Sequence, residues 1–225
     1  MGRRVLSALD TADVVTAANA ALGFVAVAVA PFDAELAARL ILLAAIADAL
    51  DGIIARRTGG SEVGPYLDSL ADVASFGVAP AAMVLATTVP EWTAQDYATI
   101  ALGAAFVGAA VLRLGLYTAY DTGKPSTEGV QTTLAATILA AGLLSGAPGW
   151  TLVVGLGVFA LLMLGERVYP DLRVRDAFIM GGIQAAAIAF PAVLGSVFPR
   201  ALLAWAVAYL LLAPPFYPGP EGKRS

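Results

Sequence analysis

Apolar runs close to twenty residues long, separated by short polar breaks, dominate this chain. Each is near the ~20 residues needed to cross a bilayer as a helix. The pattern predicts spans over 14–31, 35–57, 64–88, 94–119, 128–146, 149–166, 175–195 and 198–213. The breaks carry turn residues: Pro31-Phe32-Asp33, then Pro90-Glu91-Trp92, then a polar loop from Tyr120 to Glu128. Pro214-Pro215 is expected to stop the last helix. Composition agrees: 59% of residues are apolar, 13% are charged and the mean hydropathy is +0.80. A soluble domain does not tolerate that balance. The expected fold is therefore all-α, a polytopic membrane protein with about eight transmembrane helices in one bundle, forming a single domain over residues 1–225. No internal repeat is visible. Asp10 to Asp13 reads as a short interfacial segment ahead of the first span. The basic start, MGRRVLSALD, runs into the first apolar run, which reads as a retained helix rather than a cleaved signal.

Against this background one stretch stands out, DALDGIIARRTGGSEVGPYLDSLAD, from Asp48 to Asp72. Its acids Asp48, Asp51, Asp68 and Asp72 lie in or beside membrane spans, where a carboxylate costs a few kcal/mol on insertion scales, so function is the default reading. Asp48 and Asp51 are three apart, Asp68 and Asp72 four apart, and each pair lines one helix face. Arg56, Arg57, Thr58, Gly59 and Gly60 form a polar, Gly-rich turn between them. A helical hairpin would aim both pairs at one place. Four carboxylates there repel unless something positive sits among them. The chain has no His and no Cys, so the ligands are all oxygen, which suits Mg2+ or Mn2+. Arg56 adds a fixed charge suited to phosphate.

Orientation follows from the basic residues. With eight spans both termini lie on one side. That side receives Arg3, Arg4, Arg56, Arg57, Lys124, Arg167, Arg173, Arg175, Lys223 and Arg224; the other receives Arg39 and Arg200. This bias predicts a multi-pass cell-membrane protein with both termini and the four-acid site cytoplasmic. Asp51 would sit roughly 9 Å, and Arg113 roughly 10 Å, from the cytoplasmic ends of their helices at 1.5 Å per residue. Arg113 is thus expected to reach the acids' cavity or a phosphate held in it.

Asp48-x-x-Asp51-Gly52-x-x-Ala55-Arg56, followed by Gly64-x-x-x-Asp68-x-x-x-Asp72, resembles the signature of the CDP-alcohol phosphotransferases. These membrane enzymes move a phosphatidyl-type group from a CDP-linked donor onto an alcohol. Seven residues separate Arg56 from Gly64 here, where the family usually has eight; the difference falls in the turn. The resemblance implies that Asp48, Asp51 and Asp68 ligate metal, with two hard cations expected. It implies that Asp72 is the general base and also touches a metal. Gly52 and Ala55 match small positions that let the nucleotide lie against the helix, and Arg56 and Gly64 match positions near its nucleotide end.

The run Leu67-Asp68-Ser69-Leu70-Ala71-Asp72-Val73-Ala74-Ser75-Phe76-Gly77-Val78-Ala79-Pro80 is similar to the phosphatidylserine synthase branch of that family. Arg113-Leu114 resembles a segment of the same branch, with Leu116 where a second Arg is usual. This implies L-serine as acceptor and a CDP-diacylglycerol or ether-lipid (CDP-archaeol) donor. Glycerol 3-phosphate or inositol phosphate is the alternative acceptor, but such acceptors should need more intramembrane basic residues than Arg113. A cation transporter is the alternative from another class, disfavoured by acids clustered on one side and by the missing repeat. Membrane lipids surround the chain, no basic patch suggests nucleic acid, and a homodimer is expected only by analogy with the family. Arg167, Arg173 and Arg175 read as topology anchors, Glu62 as a solvated loop charge, and Glu128 as an N-terminal helix charge or a substrate contact.

Overall fold

The computed structural model describes residues 9–89, 94–121, 126–170 and 174–216. Pro90-Glu91-Trp92 lies outside them. So do the orientation markers Arg3, Arg4, Lys124, Arg173, Lys223 and Arg224. The described chain is a helical bundle with one small ribbon, in the order α1 (Thr11–Val29), α2 (Ala34–Thr58), α3 (Gly64–Asp72), α4 (Ala79–Thr88), α5 (Ala94–Leu116), β1 (Ser126–Glu128), α6 (Thr132–Leu144), α7 (Gly149–Met163), β2 (Val168–Pro170), α8 (Val174–Ala189) and α9 (Val197–Phe216). Among the described residues, three rods are long and apolar enough to cross a membrane alone: Thr11–Val29, Gly64–Thr88 and Asp96–Tyr120. The helices from 132 onward are apolar but mostly shorter. This is an all-α membrane protein.

The first helix starts earlier than the hydropathy suggested. Asp10 caps it, accepting from the Thr11 N–H at 2.7 Å, while Asp13 accepts from the Asp10 N–H at 2.8 Å. This reciprocal cap satisfies donors that would otherwise be orphaned. Residues 10–13 are therefore helix start, not a separate interfacial segment. α2 starts at the Asp33 cap, which accepts from Leu36 N–H at 2.8 Å. It ends at Gly59 with φ of 96°, a left-handed residue whose N–H returns to Ala55 O. A side chain would be strained there, which is why glycine follows Thr58.

α3 and α4 form one rod joined by a π-helical segment, Val73–Val78, in which the Ala79 N–H reaches five residues back to Ala74 O. Pro80 lacks an N–H and would crowd the carbonyl four residues earlier; widening the helix just before it relieves that clash. A second π segment, Tyr117–Asp121, extends α5.

Small residues let these helices approach closely, as membrane packing requires. α1 packs along α2 through Ala26, Ala30, Ala37 and Ala38, all buried. A Cβ on Gly23 would lie 2.7 Å from Ser75 Cα and 2.8 Å from its N. α8 is stitched to α2 by Gln184 Nε2 donating to Leu42 O at 2.6 Å and Arg39 Nε donating to Ile188 O at 2.7 Å.

The ribbon was not anticipated. β1 pairs antiparallel with β2, Thr127 opposite Tyr169 and Glu128 opposite Val168. The helix expected from residue 128 begins instead at Thr132, because 126–128 spend their backbone bonds on the ribbon. Gly129, at φ of 76°, turns the chain where a Cβ would strike Met163 O. Helix α8 ends at Ala189, short of the expected 195, in a turn that includes Leu194 and Ser196 at positive φ. Helix α9 continues through Pro214-Pro215 to Phe216; proline's φ is helical, and the Leu210 carbonyl, which gets no N–H from Pro214, accepts from the Tyr169 hydroxyl at 3.3 Å.

Candidate active site

The α2–α3 hairpin brings three of the four acids together. One carboxylate oxygen from each of Asp48, Asp68 and Asp72 lies within 4.8 Å of the other two. Asp48 is within hydrogen-bonding reach of both partners. Asp48 and Asp68 are half-buried and Asp72 is buried. Two like charges 4 Å apart repel by about 4 kcal/mol at an effective dielectric constant of 20. Three fixed carboxylates in apolar surroundings thus fit a hard cation. An all-oxygen donor set at this spacing suits a divalent ion that favours carboxylates. The residues present can hold such an ion.

Asp51 stands beside this trio rather than in it. It is 5% exposed, and its Oδ2 accepts from Thr16 Oγ1 at 2.7 Å. Helix spacing explains the difference. Asp48 and Asp51 share one broad face of α2, but three residues of rotation turn Asp51 toward α1 and leave Asp48 facing α3.

A cavity of about 400 Å3 opens at this hairpin, lined by Asp48, Asp51 and Asp68 and by Gly52, Ala55, Arg56 and Gly64. The positions singled out in the sequence thus share one wall. Gly52 keeps that wall low, and a Cβ there would meet the Arg56 guanidinium at 3.4 Å. Arg56 itself is exposed at the rim. Asp72 is not on the wall of this cavity; it lies deeper, close enough to Arg113 for their charges to interact. Arg113 is 7% exposed, with Nη2 3.4 Å from Thr127 Oγ1 and its guanidinium 5.6 Å from the Tyr117 ring centre.

Several site residues escaped the sequence reading. Asp13 and Thr16 line the cavity from α1. Asp13 accepts from Ser61 Oγ at 3.0 Å, tying α1 to the turn before α3. Asn19 points its Nδ2 at Asp72 Oδ1, 3.5 Å away, and its backbone carbonyl accepts from Ser75 Oγ at 2.8 Å. Ser69 and Thr118 hydrogen-bond across the α3–π contact. The signal for the first group was available: Asp13, Thr16, Asn19 and Gly23 recur every three or four residues, a polar and small stripe on an otherwise apolar helix.

The fold and the acids define a class, a helical membrane protein with a buried carboxylate site able to hold a divalent cation beside a cavity. The chain belongs to the CDP-alcohol phosphatidyltransferase family, whose model matches residues 9–164. It is 32% identical over 149 residues to an archaetidylserine synthase of Methanothermobacter thermautotrophicus, covering 64% of this chain and 62% of that one. Over 74 residues it is 45% identical to a CDP-diacylglycerol–serine O-phosphatidyltransferase of Methanocaldococcus jannaschii, covering 32% and 34% of the two chains. A protein of the same name from Mycobacterium leprae is 52% identical over 60 residues, 24% of this chain and 20% of that one. The chain thus spans less than two thirds of the length of each of these relatives.

Proposed function

We propose that the protein transfers a phosphatidyl-type group from a CDP-lipid to the hydroxyl of L-serine, releasing CMP. The observation that carries this reading is the meeting of Asp48, Asp68 and Asp72 beside a cavity walled by small residues. It is supported by the family match and by the serine in the relatives' names. In this reading residues 1–225 act as one membrane domain, in the cell membrane, with the site on the cytoplasmic side.

A divalent cation (Mg2+ or Mn2+, two ions being the fuller expectation) held by Asp48, Asp68 and Asp72, with Asp51 adjacent, would offset the charge of the donor's diphosphate. The chain's own residues do the rest. Gly52 and Ala55 admit the nucleotide end of the donor to the α2 wall, and Arg56 and Gly64 border it. Asp72 takes the proton of the serine hydroxyl. The freed oxygen forms a bond to the lipid-side phosphorus, and the bond from that phosphorus to the CMP oxygen breaks, with its electron pair leaving on CMP. Asn19 steadies the Asp72 carboxylate from α1, and Arg113 holds positive charge close to it.

The test is an acceptor panel on the purified protein with one CDP-lipid: L-serine, glycerol 3-phosphate, inositol phosphate and inositol. CMP release with serine alone, stopped by EDTA and restored by Mg2+ or Mn2+, is the expected result. Release with a phosphorylated acceptor instead would replace serine. Activity indifferent to chelation would remove the metal role. Ion flux in liposomes without CMP release would favour the transporter reading.

A further inference from the structure

A second cavity of about 350 Å3 adjoins the first, and Tyr117 lines both. Its wall has a different chemistry. Among the described residues it carries the cation Arg113 and two carboxylates, Glu128 and Glu166. Arg113 is buried and braced by Thr127 and the Tyr117 ring. The two glutamates that line it are exposed. The ribbon sets them near each other: Glu128 pairs with Val168, and the next residue, Gly129, donates its N–H to Arg167 O at 2.8 Å. The charge of Arg113 also reaches Asp72, so this cavity borders the acid trio.

We propose that this second cavity seats the acceptor as a zwitterionic α-amino acid, its carboxylate on Arg113 and its α-ammonium between Glu128 and Glu166. The inference rests on the serine reading above and names the residues that would enforce it. A guanidinium presents paired donors matching a carboxylate. Two carboxylates nearby accept from an ammonium, which offers three donors. The same two carboxylates repel a phosphorylated acceptor, whose extra negative charge would have to sit beside them. Anchored at both charged ends, a β-hydroxyl is left as the group free to turn toward Asp72. Positioning of this kind converts two-body encounter into a fixed approach.

The test uses the full chain in detergent or nanodiscs, with Glu128→Gln/Glu166→Gln and Arg113→Lys. In the double variant, the KM for L-serine is expected to rise about tenfold or more, the scale of one charge-assisted hydrogen bond. The KM for the CDP-lipid should stay unchanged. Preference should shift as well: 3-hydroxypropionate, which lacks the ammonium, should gain on serine in the double variant, and ethanolamine, which lacks the carboxylate, in Arg113→Lys. Labelled L-serine binding to the protein supplied with Mg2+ and CMP, which leaves serine no donor to react with, should weaken to the same extent, with no turnover involved. A serine KM or affinity unmoved in the double variant overturns the proposal. So does a rise matched by the CDP-lipid KM, which would mark general damage. A wild-type protein that neither binds nor uses serine sinks the acceptor reading itself, and that result needs no variant.

Discussion

The two cavities meet at Tyr117 but are built in opposite ways. The first is made mainly by one continuous hairpin, α2 and α3, with α1 laid against it. Its chemistry comes from carboxylates three or four residues apart on rigid helices. The second is assembled from three separate stretches: the end of α5 with the π turn that extends it, β1, and the end of α7 with the loop that follows it. Its chemistry is of mixed sign, and its acids sit on a ribbon and a loop. Groups that must hold a cation at fixed separation need the stiffness of helices. Groups that only need to tell one small acceptor from another can sit on connecting segments, where they vary without disturbing the bundle.

The sharpest way to break this division is at Asp72, which meets Asp48 and Asp68 and also feels the charge of Arg113. Asp72→Asn removes a proton acceptor while keeping the shape. Turnover should fall by about 10^2- to 10^4-fold, the range for a positioned general base, while CDP-lipid binding persists. Steady-state CMP release and equilibrium donor binding measure the two effects. A variant that turns over at the wild-type rate would mean that the proton goes elsewhere.

Two buried or half-buried arginines sharpen the contrast next. Arg113→Ala should lower kcat/KM for serine by about ten- to a hundredfold, since a charged hydrogen bond in a dry site is worth roughly 1.5–3 kcal/mol. Arg39→Ala removes a donor to Ile188 O, far along α2 from the acids. It should lower the melting temperature in detergent and leave the serine KM where it was. Equal kinetic losses from both would mean that Arg113 acts through the fold and not through the second cavity.

This division also decides what could be read from the chain. The hairpin was legible because its determinants are local. Asp48, Gly52, Ala55, Gly64 and Asp68 reach one wall through helix periodicity and one turn. The Asp51 contact with Thr16 was not legible, since it depends on how far α1 slides along α2. Helix starts were missed where hydrophobicity and hydrogen bonding disagree. Asp13 looks like surface by composition, yet it closes a cap and faces the cavity. The ribbon was invisible because three-residue strands carry no periodicity, and the pairing joins segments 40 residues apart, Glu128 with Val168. Glu166 therefore gave no sign of standing near Arg113.

A smaller effect is expected at Gly23, where α1 crosses the π segment that follows Asp72. A methyl there would overlap Ser75 backbone, which cannot swing aside as a side chain could. Gly23→Ala should destabilise by about 1–3 kcal/mol, the usual cost of overpacking. It should reduce turnover severalfold by moving Asn19 away from Asp72. Thermal melts alongside kcat separate the two losses. Unchanged stability would mean that the helices part without cost and that the close approach does not set the acid's position.

The smallest effect lies at the rim of the first cavity, where Thr58 Oγ1 donates to Asp10 Oδ2 at 2.5 Å and so ties the end of α2 to the start of α1. That hydrogen bond, then the one from Thr11 N–H, holds the Asp10 carboxyl below its ordinary 3.8. A lowered folded-state value means that the charged form favours folding. The contribution is therefore complete above the unfolded-state value and fades as pH falls through the folded one. Asp10→Asn keeps the helix cap but cannot titrate. Wild type should melt slightly above Asp10→Asn near neutral pH, and the gap should close as the pH falls below about 4, the ordinary carboxylate range. Because Asp10 is partly exposed to solvent, salt should shrink the gap as well. A gap that holds constant through the acid range would show that the tie owes nothing to charge, leaving the rim of the first cavity held by packing alone.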